Sequence, residues 1–159
     1  PLREGGTGFQ SKEIRQPLDY PQRLESGSPN APAIVALGAA IDYLNQRGLG
    51  AIRNHLEDLM RVFQSGLERL NGVHWYGTRD ISRREPVYAI NVDGYAPEEL
   101  AAVLDTSFGV QVRSGLHCAP GAHQAIGTYP EGTCRFSFGA MSTIEDVEAA
   151  LDALERVSG

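Results

Sequence analysis

LGAIRNHLEDLMRVFQSGLERL, residues 49–70, runs into Asn71-Gly72 and then into VHWY, residues 73–76. In the first stretch Leu49, Ile52, Leu56, Leu59, Met60, Phe63, Leu67 and Leu70 recur at spacings of three and four. That is one apolar stripe along an amphipathic helix, and it is the strongest periodic signal in the chain. Burying such side chains at ~1.5–3 kcal/mol each, before entropy is subtracted, is enough to anchor a core. Asn71-Gly72 supplies a helix stop. Beyond it the apolar period falls from 3.6 to 2. Val73–Tyr76 reads as a short strand and Val87–Val92 as a better one, with Tyr88, Ile90 and Val92 on one face.

Downstream, Pro97 opens a helix carrying Leu100, Val103 and Leu104, Val110–Arg113 reads as a third strand and Thr133–Phe138 as a fourth. The last helix is expected to start at Ser142, with Glu145 three residues on as a capping box, and to carry Ile144, Val147, Leu151 and Leu154. Upstream, Asn30 caps a helix with Pro32 in its first turn; its stripe is Ile34, Leu37, Ile41 and Leu44, and Gly48 and Gly50 break it. The pattern is therefore a long helix followed by ββαββα, a small sheet covered by helices. Residues 1–30 show no sustained apolar period and read as extended loop. Thirty residues of loop is unusual in a compact domain and points to disorder, to function, or to a missing surface that the segment needs.

Length alone, 159 residues, suits one domain, and 18 Gly with 9 Pro lies below low-complexity composition. The net charge of −6, with arginines scattered and only Arg83 and Arg84 adjacent, argues against a nucleic-acid binder. No run approaches the ~20 apolar residues that span a bilayer, and no charged-then-apolar leader is visible, so neither membrane nor secretory pathway is expected. The chain opens at Pro1 rather than Met, as a processed or shortened chain does. Cys118 and Cys134 read as free thiols of a cytoplasmic protein rather than a disulfide framework. Lys12 is the only lysine among 14 basic residues.

VRSGLHCAPGAH, residues 112–123, concentrates Arg113, His117 and Cys118 in a Gly/Pro-punctuated connection just beyond a strand. A thiol near His117 and Arg113 is a candidate nucleophile, since positive neighbours favour the thiolate; the plain alternative is a small buried apolar residue. In TCRFSF, residues 133–138, alternation sends Cys134, Phe136 and Phe138 to one face and Thr133, Arg135 and Ser137 to the other. Cys134 is then structural, while Arg135 on the polar face suits a carboxylate, either a ligand's or an Asp or Glu of the same chain. Gly5-Gly6-Thr7-Gly8 offers amides and a hydroxyl to an anion, or is ordinary loop glycine; it is not a P-loop. No metal site is expected, because the spacings of His117, Cys118, His123 and Cys134 match no usual zinc pairs. His55 and His74 read as solvent or edge residues, and Trp75 as packing.

Taken together, Arg113-Ser-Gly-Leu-His-Cys118-Ala-Pro, Gly132-Thr-Cys-Arg135-Phe-Ser-Phe-Gly139, Gly5-Gly-Thr-Gly, Gln16-Pro17 and Glu25-Ser-Gly-Ser-Pro-Asn30 resemble the C-terminal portion of cysteine desulfurases, class V aminotransferases of the fold type I pyridoxal-phosphate enzymes. The resemblance covers nearly the whole chain. It implies an α+β fold whose small, mainly antiparallel sheet is covered by helices, with residues 1–47 as the tail of the large cofactor domain and 48–159 as the C-terminal small domain. It implies that Cys118 takes sulfur from L-cysteine as a persulfide, leaving alanine, that Arg135 grips the substrate carboxylate, and that Arg113 and His117 support them. Thr7, with Gly6, would reach the cofactor phosphate of the neighbouring subunit in a homodimer. A sulfur-acceptor protein is a further implied partner. Phe9 stands where the family usually has Ser, Ser28 where it has Thr, and Cys134 where an aliphatic residue is common. The family's cofactor lysine falls upstream of the matched region, and Lys12 is not in its place, so no covalently bound cofactor and no activity are expected of this chain alone. Selenocysteine lyase or another class V reaction is the nearest alternative; a non-enzymatic sulfur carrier or interaction domain is the more distant one.

Overall fold

The computed structural model describes residues 4–6 and 12–159; Thr7, Gly8 and Phe9 lie outside the described residues. The chain divides into two compact units, residues 1–48 and 49–159.

In the first unit, helix α1 spans Ala31–Arg47. Asn30 caps it as expected, its Oδ1 accepting from the Ala33 N–H at 3.1 Å, and Gly48 ends it at φ 80°. None of its residues is buried, and Ile34, Val35 and Leu37 are each more than 60% exposed. The segment before it is tied by local bonds rather than by a core. Gln16 is buried and its amide donates to the carbonyls of Gln22 (2.6 Å) and Glu25 (2.9 Å).

The second unit opens with α2, Leu49–Leu67. It stops three residues short of the expected Leu70, where the backbone tightens into Arg69→Gly66 and Leu70→Leu67 turns. Gly66 is needed there because a Cβ would collide with the side chain of Leu151. Strands β1 (Val73–Tyr76), β2 (Val87–Val92) and β3 (Cys134–Ser137) form one antiparallel sheet in the order β1-β2-β3, with Trp75 opposite Ile90 and Ala89 opposite Arg135. A 3-10 turn at Ile81–Arg83 sits between β1 and β2. Helix α3 is Pro97–Phe108, α4 is Pro120–Ile126 and α5 is Ile144–Ser158. This is an α+β unit of the expected class.

The core lies between α2, α5, α3 and one face of the sheet. Phe63 of α2 sits at its centre, with ring centroids 4.9 Å from Tyr88 and from Phe138 and 5.7 Å from Phe136. The period-2 reading holds: Tyr88, Ile90, Val92, Cys134 and Phe136 are all buried.

Three further expectations change. Val110–Arg113 is not a strand; pairing is confined to a ladder of residues 113 and 115 against 133 and 135. The short helix α4 was not expected, because seven residues beginning Pro-Gly carry no apolar period. The last helix starts one residue later, at a capping box formed by Thr143 and Asp146 (2.8 and 3.2 Å) rather than Ser142 and Glu145; Ser142 accepts from the Gly139 N–H instead.

Candidate active site

The site is assembled where the chain between α3 and α4 is laced onto the edge of β3. Arg113 and Arg135 exchange backbone bonds (2.7 and 3.4 Å), and so do Gly115 and Thr133 (3.1 and 3.2 Å). The two backbones approach so closely that a Cβ on Gly132 would strike the Gly115 carbonyl, and both glycines have positive φ, 84° and 96°. Antiparallel partners project to the same face, so Arg113 and Arg135 lie side by side on the sheet's polar side.

After this crossing the loop bends sharply. His117 (φ 51°) and Cys118 (φ 61°) are consecutive left-handed residues, a costly backbone state for residues with a Cβ that is concentrated at functional sites. Cys118 is exposed. Of the two readings of this thiol, the buried apolar residue is therefore excluded.

His117 Nε2 lies 3.1 Å from the Thr133 carbonyl. A carbonyl only accepts, so Nε2 carries the hydrogen and Nδ1 is the bare nitrogen of the neutral ring. Nδ1 is buried without a hydrogen-bond partner. Burial holds the imidazole below its ordinary pKa, the Thr133 bond works against this, and Arg135, His123 and Arg113 lower it further.

Arg135 is half-buried, and its Nε is buried with no hydrogen-bond partner. No carboxylate among the described residues forms a salt bridge with it, which removes the reading in which an Asp or Glu of the same chain is its partner. An unpaired guanidinium behind a bent cysteine loop suits an anionic ligand group. Cys134, next to Thr133 in the chain but facing inward, is buried, donates to the Pro97 carbonyl at 2.9 Å and has its thiol pushed up to about 12, chiefly by burial. It is inert packing, as alternation predicted.

Of the other candidates, Gly6 accepts from the Gly27 N–H at 2.7 Å, and Gly5 packs so that a Cβ would meet the Ser26 Cβ at 3.3 Å; both belong to the first unit. Among the described residues no cluster of three His, Cys, Asp or Glu could hold a metal, and no helix is long and apolar enough to cross a membrane. His55 bonds the Ser142 carbonyl (2.9 Å) and His74 pairs with Asp93 (2.8 Å), so neither joins the site. Sequence reasoning weighed His123 only as a zinc ligand and left it out of the site; it is 4% exposed and its ring centroid lies 5.7 Å from that of His117. Its only signal was a second His five residues beyond Cys118.

Comparison with known proteins places these residues in context. The Aminotransferase class-V family model matches residues 1–150. A probable cysteine desulfurase of Methanothermobacter thermautotrophicus is 30% identical over 157 residues, 98% of this chain and 39% of that protein. Another, of Pyrococcus abyssi, is 34% identical over 159 residues, 99% of this chain and 38% of that protein. Among solved structures, the apo cysteine desulfurase of Thermococcus onnurineus superposes with a TM-score of 0.79 at 36% identity, covering 87% of this chain and 34% of the other. A cysteine desulfurase of Escherichia coli shares the fold with a TM-score of 0.78 at 24% identity, over 96% of this chain and 37% of that one. The chain thus spans about two-fifths of the length of the relatives it matches.

Proposed function

The chain belongs to the class-V aminotransferase family, and from that premise we propose that it is the C-terminal portion of a pyridoxal-phosphate-dependent cysteine desulfurase in which Cys118 receives the sulfur. The observation that carries the reading is the pairing of an exposed, left-handed Cys118 with the unpaired guanidinium of Arg135 across one backbone crossing. In this reading residues 1–47 are the tail of a large cofactor domain and 48–159 are the small domain.

The geometry supports the following roles. Arg135 offers a fixed fork to the carboxylate of L-cysteine, which orients the substrate thiol toward the loop. The Cys118 thiolate attacks that sulfur. A sulfur–sulfur bond forms, the substrate's carbon–sulfur bond breaks, and a proton is delivered to the β-carbon. The products are alanine and a Cys118 persulfide, so sulfur is oxidised and carbon reduced with no outside reductant. Pyridoxal phosphate, when bound, supplies the electron sink that makes the carbon–sulfur bond breakable. The residues present suit its anionic end: the Gly5-Gly6-Thr7-Gly8 amides and hydroxyl, packed tightly at Gly5 against Ser26, would hold the phosphate of a partner subunit in a homodimer. Arg113 and His117 support the loop. The persulfide is then passed to a sulfur-acceptor protein, in the cytoplasm.

Lys12, the sole lysine, is exposed and lies between two loop motifs. In this reading Lys12 does not stand in for the family's cofactor lysine, and this chain alone is inactive. Mixed with pyridoxal phosphate and reduced with borohydride, it gives no stoichiometric adduct at Lys12; such an adduct sinks this part of the reading. Within the complete polypeptide, Cys118→Ala abolishes alanine and sulfide production from L-cysteine, whereas unchanged turnover assigns the scaffold to another reaction.

A further inference from the structure

Outside the residues assigned above, one buried titratable group stands against the site. His123, on α4, is 4% exposed, and its Nδ1 lies 2.7 Å from the Thr128 hydroxyl. The contacts around it form a closed ring. The Thr128 N–H donates to the His123 carbonyl (2.9 Å), and the Thr128 carbonyl accepts from the Gly132 N–H (2.7 Å). Gly132 lies against Gly115 at the backbone crossing, the adjoining Thr133 carbonyl accepts from His117 Nε2 (3.1 Å), and the His117 ring returns to His123 at 5.7 Å between centroids. Four segments far apart in character, a bent loop, a short helix, a turn and a strand end, are closed on one another through two imidazoles and one hydroxyl.

Such a ring explains how two left-handed residues in succession persist. Their cost, of order 1–3 kcal/mol each, requires surroundings that over-determine the conformation. The Thr133 carbonyl fixes one edge of the His117 imidazole, but a single hydrogen bond leaves the ring free to pivot about it. The His123 ring, 5.7 Å away between centroids, is the aromatic neighbour placed to limit that pivot, and Thr128 bonds His123 in turn. The titratable groups that bear on His117 are Arg113, Arg135 and His123, and none of them offers its bare Nδ1 a compensating negative charge.

We propose that His123 is a positioning residue for the Cys118 loop, acting through the His117 ring with Thr128 as its own anchor. This rests on Cys118 being the reactive group, but its test does not require turnover. In the 159-residue chain, the imidazole nitrogen–proton correlation spectrum should show one His117 tautomer, Nε2–H. His123→Phe keeps an aromatic ring and loses the Thr128 bond; Thr128→Val keeps shape and loses the hydroxyl. In both, His117 should populate a second tautomer, and the Gly115 and Thr133 amides should exchange about tenfold faster while amides of the β1–β2 pair hold their rates. Iodoacetamide should label Cys118 about threefold more slowly, because the thiol is no longer held outward. His123→Gln, whose side-chain amide can still bond the Thr128 hydroxyl, should restore part of each change. Unchanged His117 signals and unchanged Cys118 labelling in both His123→Phe and Thr128→Val would overturn the proposal and leave His123 as core packing. A failed desulfurase assay with these signatures present would instead count against the reaction assigned to Cys118.

Discussion

Replacing Gly132 by Ala drives a Cβ into the Gly115 carbonyl at φ 84°, a conformation that side chains rarely adopt. The expected loss is about 2–4 kcal/mol in urea unfolding, since backbone cannot yield as a side-chain tip can. Arg135→Lys keeps the charge but loses the planar fork, and within the complete enzyme kcat/KM for L-cysteine should fall about ten- to a hundredfold. His117 makes a pH-dependent contribution whose sign is fixed by its depressed pKa. The unfolded chain binds this proton more readily, so stability is reduced below the folded-state pKa and recovers as pH rises toward the ordinary histidine value near 6.5. His117→Gln should flatten that rise on the acid side of about pH 6.5 in thermal melts. At this scale much was legible. The faces taken by Arg135 and Cys134 follow from a period of two, and the loop placement of Cys118 from its Gly and Pro neighbours. His123 was not legible, because its place depends on the left-handed bend at His117–Cys118 before it and on a turn at Gly127 that returns Thr128 to it, neither of which leaves a periodic trace.

The helices were read best where one face is buried. The stripe of α2 and that of α5 each meet the core, and Phe63 contacts three aromatic rings. Phe63→Ala should therefore cost about 3–5 kcal/mol, measured by denaturant unfolding. At α5 the capping box belongs to Thr143 and Asp146, so Thr143→Ala should cost about 1 kcal/mol while Ser142→Ala costs less. The one-residue slip arose because Ser142 and Thr143 each precede an acid at the same spacing; the structure uses Ser142 to close the Gly139 turn. The expected strand at residues 110–113 fails for a related reason. Its apolar residues Val110 and Val112 pack on the core from a loop, and only the end of the segment pairs, where Gly115 allows close approach to Gly132.

At the scale of the molecule, every residue of the hydrophobic core cluster lies in residues 49–159. That unit should unfold cooperatively on its own, with a denaturant midpoint close to that of the 159-residue chain. The stripe of α1 is as regular in sequence as those of α2 and α5, yet Ile34, Leu37 and Ile41 are 48–62% exposed. Periodicity reports an apolar face and not what covers it, so length alone suggested one complete domain where the family match spans about two-fifths of its relatives. The account stands or falls on sulfur reaching Cys118. Its most direct test is mass spectrometry of the complete polypeptide after brief exposure to L-cysteine. The account predicts one added sulfur atom on the peptide bearing Cys118, none on that bearing Cys134, and none in Arg135→Ala at the same substrate concentration. Sulfur found elsewhere, or alanine formed while Cys118 stays unmodified and dispensable, would contradict it.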